Sequence, residues 1–184
     1  MAKIFRYLLL LLGCSGSLSA ALAAGPAGEQ ELLQYTQTND MIASDGVPML
    51  RVFDSGRVLV HLPAWKKNSG DYEYFLSDTE LKALKDRLES PLVAAFDKAR
   101  MERALHAAEN TARAGGAMLF EISDNTYTHM IVNSGINGPE KDITWANLQN
   151  DAQRHTELKE LVELADTERY LQKLLHHPKM KKLD

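Results

Sequence analysis

Residues 48–62, PMLRVFDSGRVLVHL, decide how the chain is read, because they predict two short strands joined by a tight turn. Leu50 and Val52 alternate with Arg51 and Phe53, while Val58, Val60 and Leu62 alternate with Arg57, Leu59 and His61. Successive strand side chains point to opposite faces, so the hairpin has one apolar face and one mixed face. Asp54-Ser55-Gly56 supplies the turn. Asp and Ser bond the local backbone, and Gly accepts the positive φ that a tight hairpin needs. A two-stranded hairpin is marginal in water, so further strands and a helix must pack on it.

Those partners are legible on both sides. Glu31–Thr38 and Tyr72–Leu76 alternate as strands, and Met118–Ile122 with Tyr127–Val132 form a second hairpin around Ser123-Asp124-Asn125. After the turn-rich stretch from Ser134 to Lys141, Ile143 and Trp145 sit on a last short strand. Ser77-Asp78-Thr79-Glu80 is a capping box that opens a helix with Leu81, Leu84 and Leu88 on one face. Ser90-Pro91 starts a second helix that runs to about Arg113 and stops at Gly115-Gly116; its apolar face takes Phe96 or Met101, then Leu105, Ala108 and Ala112. The C-terminal region is helical, with Leu158, Leu161, Val162 and Ala165 on one face. A new cap at Asp166-Thr167 starts a second face of Tyr170, Leu171, Leu174 and Leu175, which Pro178 ends. Clustered hairpins followed by helices predict an α+β fold, its antiparallel sheet built from two hairpins plus short strands and covered by three to four helices.

The N-terminus reads as a targeting segment. Lys3 and Arg6 precede a leucine run at 8–12, and small residues lead to Ala21-Leu22-Ala23. Residues 1–24 are then a signal peptide, 25–30 a linker, 31–178 one globular domain and 179–184 a polar tail. The apolar run is shorter than the roughly 20 residues a membrane span needs, so no transmembrane helix is expected. Leu11-Leu12-Gly13-Cys14 resembles a bacterial lipobox, which offers a second reading: a lipoprotein signal over 1–13, with Cys14 acylated as the membrane tether. Either route predicts an exported protein, in the periplasm, outside the cell, or held at the outer membrane through Cys14. Cys14 is the one cysteine in the chain, so disulfides and thiolate chemistry are excluded from the domain. The net charge is −4, and loss of the leader removes two cations and no acid, leaving −6. No basic face is evident, and a nucleic-acid partner is not expected.

No local motif announces catalysis. A Gly-rich phosphate loop, a paired-His zinc motif and a Gly-x-Ser-x-Gly elbow are all missing, and no cofactor is predicted. His61 and His129 lie on the two hairpins; a shared metal or proton-transfer site would need both on one open face with Glu73 or Glu121 beside them. His106 and Glu109 stand one helical turn apart and read as exposed helix polarity, while His176-His177 reads as a solvated tail. Asp54 and Asp124 are turn residues. The strongest binding feature is Trp65-Lys66-Lys67, an aromatic beside two cations on the connection that leaves the central hairpin. Trp65 is either a contact for a partner protein or envelope component, or a lid folded onto the core. The leading expectation is a non-enzymatic binding module using this loop or the sheet face. Two alternatives stand beside it: a small envelope hydrolase built on dispersed Asp, Glu and His residues, and a lipid-anchored structural lipoprotein.

Overall fold

The computed structural model describes residues 28–42, 44–116, 124–133 and 139–183. Seven strands run through them: β1 (Glu31–Asn39), β2 (Leu50–Phe53), β3 (Arg57–Leu62), β4 (Gly70–Phe75), β5 (Thr126–Val132), β6 (Lys141–Ala146) and β7 (Lys181–Lys182). They form one sheet in the order β6-β5-β1-β2-β3-β4-β7, and every neighbouring pair is antiparallel. The stretch at 48–62 is the centre of this sheet, since β2 is its middle strand. Val52 faces Val58 and Leu50 faces Val60 across the hairpin. Gly56 adopts φ 83° and donates its amide to Phe53 O at 3.0 Å. A side chain there would also meet the Leu76 carbonyl at 3.2 Å, so both conformation and space select glycine.

Among the described residues, the helices cover one face of the sheet. They are α1 (Asp78–Leu88), α2 (Pro91–Ala94), α3 (Lys98–Ala114), α4 (Leu148–Arg154) and α5 (Lys159–Leu174). The apolar hairpin face meets Leu84, Leu88, Leu161, Leu164 and Leu171, each fully buried. Burying such a side chain contributes about 1.5–3 kcal/mol relative to leaving it in water, so this layer supplies most of the driving force. The α1 capping box forms as expected: Ser77 accepts from the Glu80 amide and Glu80 accepts from the Ser77 amide. A bulge between Glu31 and Leu33 lets Leu32 and Leu33 both be buried on β1. The α+β class and the antiparallel sheet are therefore as the alternation predicts.

Four details differ from the sequence reading. The helix expected from Pro91 to Arg113 breaks after Ala94. Phe96 leaves the helical path to pack edge-on against Trp145, and Asp97 caps α3 by accepting from the Arg100 amide at 2.6 Å. An aromatic anchor and a good cap together outweigh helix continuity. Conversely, α5 runs straight through Asp166-Thr167, because Thr167 donates to the Glu163 carbonyl one turn back and is itself fully buried. The supposed tail includes β7, whose lysines pair with Tyr72 and Glu73 of β4. His177 is not solvated either: its ring stacks on Tyr74 at 4.4 Å and Nε2 lies 3.2 Å from Glu80 Oε1. The strand expected at Met118–Ile122 lies outside the described residues; β5 pairs with β1 and β6.

Candidate functional site

The Trp65 loop leaves β3 at Pro63 and returns at β4. Lys66 donates its amide to the Pro63 carbonyl at 2.8 Å, and Asn68 takes a positive φ of 60°, so the turn is tied at its base. Trp65 is 50% exposed and does not act as a closed lid on the core. Lys66 Nζ sits 5.2 Å from the centre of its ring, a cation–π contact that pre-orients both side chains.

This loop separates two clefts. The first, of about 230 Å³, is walled by Trp65, Lys66, Met49, Asp45, Gln37 and Thr126 at the end of the sheet where β1 stops and β2 begins. The second, of about 490 Å³, lies between Lys66, Lys67 and Tyr72 on one side and His176, His177 and Met180 on the other. β7 closes the same edge, where the side chain of Lys182 crosses Gly70 so closely that a Cβ there would lie 2.9 Å from Lys182 Cε. Lys66 and Lys67 line this second cleft, and Lys181 and Lys182 pair with β4 on the adjoining sheet edge, so lysines distant in sequence gather on this side of a protein of net charge −4.

His61 and His129 both occupy the helix-free face, as their alternation with buried neighbours requires. They do not converge. Two strands, β1 and β2, lie between theirs, a separation of about 14 Å at ordinary strand spacing. Each has its own partners. His129 Nε2 lies 2.9 Å from Asp142 Oδ1. His61 is held on both sides, by Asp71 at 2.6 Å from Nδ1 and by Asp45 at 2.9 Å from Nε2. With an acceptor at each ring nitrogen, the doubly protonated imidazolium is the form that satisfies both contacts. Burial pulls the His61 pKa down, but the bonds to Asp71 and Asp45 outweigh it and the net shift is upward. Asp45 is correspondingly lowered, by His61 first and the Val47 amide second. Glu73 belongs to a different cluster, 3.4 Å from Arg57 Nη1, and Glu121 lies outside the described residues. Among the described residues no group of three or more His, Cys, Asp or Glu side chains is arranged to hold a metal ion. His106 is exposed, 3.8 Å from Glu109, and Asp54 accepts the Gln30 amide in its turn. Cys14 lies outside the described residues.

Sequence reasoning missed the one deeply buried acid among the described residues. Glu168, on α5, is 1% exposed. Its Oε1 accepts from Tyr35 Oη at 3.3 Å, Gln37 Nε2 at 3.4 Å and the Thr128 hydroxyl, and its Oε2 accepts from Gln149 Nε2 at 2.6 Å. The Tyr35 hydroxyl is pushed well above the usual tyrosine range, by burial first and by the Glu168 charge second. Glu168 borders a third cleft, of about 250 Å³, with Gln37, Thr126, Asn147, Gln149 and Asn150. The signal was available: 161, 164, 165, 168 and 171 share one helical face, and Glu168 is the acid in a row otherwise made of Leu and Ala. No protein-family model matches the chain, and comparison with curated proteins and with solved structures likewise gives no match.

Proposed function

We propose that this is an exported, non-enzymatic binding protein whose Trp65 loop and basic edge meet an acidic partner in the cell envelope. The observation that carries the reading is the half-exposed Trp65 beside Lys66 and Lys67, which line a cleft with Tyr72 and Met180, while Lys181 and Lys182 pair with β4 on the adjoining edge. An exposed aromatic gives contact area at little conformational cost, and flanking cations steer an anionic surface toward it. Lysines on an edge strand also discourage edge-to-edge pairing, which alone would account for Lys181 and Lys182. That role requires neither a half-exposed tryptophan nor a cleft beside it. Catalysis by His61 is disfavoured on the same geometry, because both its ring nitrogens are engaged by carboxylates and neither is left to take a substrate proton. Export and any anchoring through Cys14 are part of the proposal and rest on the leader alone.

The test is tryptophan fluorescence during titration with vesicles containing phosphatidylglycerol and, separately, with a soluble acidic peptide. Trp145 is 4% exposed, so the solvent-sensitive signal belongs to Trp65. A saturable blue shift with either probe, lost in Trp65→Ala and weakened in the Lys66→Glu/Lys67→Glu double variant, supports the reading and tells a lipid surface from a protein one. No response to either probe, or the same response in the double variant, sinks it.

A further inference from the structure

We propose that the cleft beside Glu168 is a binding site for a small organic cation, specifically one bearing a primary ammonium group. This inference stands apart from the Trp65 reading, although Gln37 and Thr126 border both clefts.

A carboxylate taken out of water is costly unless it is paired and hydrogen-bonded. Glu168 is 1% exposed, and all four of its donors, from Tyr35, Gln37, Thr128 and Gln149, are neutral. A glutamine would fill the same volume without the charge. The bonding is also lopsided. A carboxylate offers about four lone-pair sites across its two oxygens. Oε1 takes three of the donors and Oε2 takes one, so Oε2 retains capacity. A second acceptor borders the same cleft: Asn150 Oδ1 is buried and has no hydrogen-bond partner. Buried polar atoms in folded proteins are nearly always satisfied, and one that is not needs an explanation. An ammonium group brings a positive charge and three donors, which answers both the lone charge and the two open acceptors.

A divalent metal fits less well. It prefers several anionic or carbonyl oxygens, whereas here there is one acid, and the neighbouring groups turn their hydrogens toward it. The cleft, about 250 Å³, accommodates an alkylammonium head with a short chain.

The test is a titration of the purified protein with methylammonium and propylammonium chloride, read in ¹H–¹⁵N spectra at the side-chain amides of Gln37, Gln149 and Asn150. Sodium chloride and tetramethylammonium chloride at matched ionic strength are the controls. The expected result is saturable shifts at these amides with the primary ammonium salts and none with the controls. Glu168→Gln should weaken binding about tenfold or more, the scale of one hydrogen bond to a charged group. Should that variant fail to fold, Asn150→Leu at the cleft rim should also weaken it, while Asp142→Asn on the opposite face leaves it unchanged. Shifts that do not saturate below roughly 100 mM, that sodium reproduces, or that survive in both Glu168→Gln and Asn150→Leu would overturn the proposal.

Discussion

Two clefts meet at Gln37 and Thr126, and they are built in opposite ways. The one beside Trp65 is made by a loop: its aromatic is half exposed, and its cation, Lys66, lies against that ring on the same loop. The one beside Glu168 is made by the packed layer itself, from side chains of β1, β5, α4 and α5 that share a single buried carboxylate. The first can be altered without disturbing the core. The second cannot, since Glu168 and its donors also hold the helical layer on the sheet. Recognition placed on a loop is open to change, whereas a charge placed in a core constrains its whole surroundings.

The largest test of this contrast is Glu168→Ala. It strands the Tyr35, Thr128 and Gln149 donors, so we expect a loss of about 2–4 kcal/mol in urea unfolding, because each buried unsatisfied group costs about 1–3 kcal/mol and the cleft admits some water. Tyr35→Phe removes one donor and leaves the rest, and should cost about 1 kcal/mol by the same measurement. Ser77→Ala, which removes the α1 capping box at a distance from both clefts, should cost about 1 kcal/mol and so calibrates the scale. Trp65→Ala should fall within about 1 kcal/mol of wild type, since much of its surface is already in water. A larger loss than for Tyr35→Phe would mean that the Trp65 loop is part of the core after all, and the contrast would fail.

The smallest effect concerns pH at the wall of the Trp65 cleft, where Asp45 is tied to His61. The folded-state pKa of His61 is raised, so its contribution is fully present below the ordinary value near 6.5 and is lost as pH rises through the raised value. That of Asp45 is lowered, so its contribution is present above 3.8 and is lost as pH falls through the lowered value. The clamp is therefore strongest between these limits. Its contribution should stay below about 1 kcal/mol because both groups are partly exposed. Urea unfolding across the pH range, compared in wild type and His61→Gln, checks it: the variant should lose the decline that begins as pH rises past about 6.5. A decline of equal size in both proteins would assign it to other groups.

How much of this was legible follows the same division. Period-two alternation located β1 to β4, β5 and β6, and the Ser77-x-x-Glu80 box located α1, because these signals are local. The break at Phe96 was hidden, since it depends on the contact with Trp145 some fifty residues away. β7 and the burial of His177 were hidden for the same reason: two lysines and a histidine near the C-terminus read as solvated until β4 and Tyr74 are beside them. At the site, the Trp65 loop was readable from residue type. The basic edge was only half readable, because its two halves are more than a hundred residues apart. Glu168 lay in plain view on an apolar helical face, but its donors come from three other elements.

The exposure of Trp65 in a cationic setting is the central feature of the molecule, and it is measured by collisional quenching of tryptophan emission with iodide and with caesium. We predict strong quenching by iodide and weak quenching by caesium, with the iodide response lost in Trp65→Ala and reduced in the Lys66→Glu/Lys67→Glu double variant. Equal quenching by the two ions, or an iodide response that persists without Trp65, would contradict it.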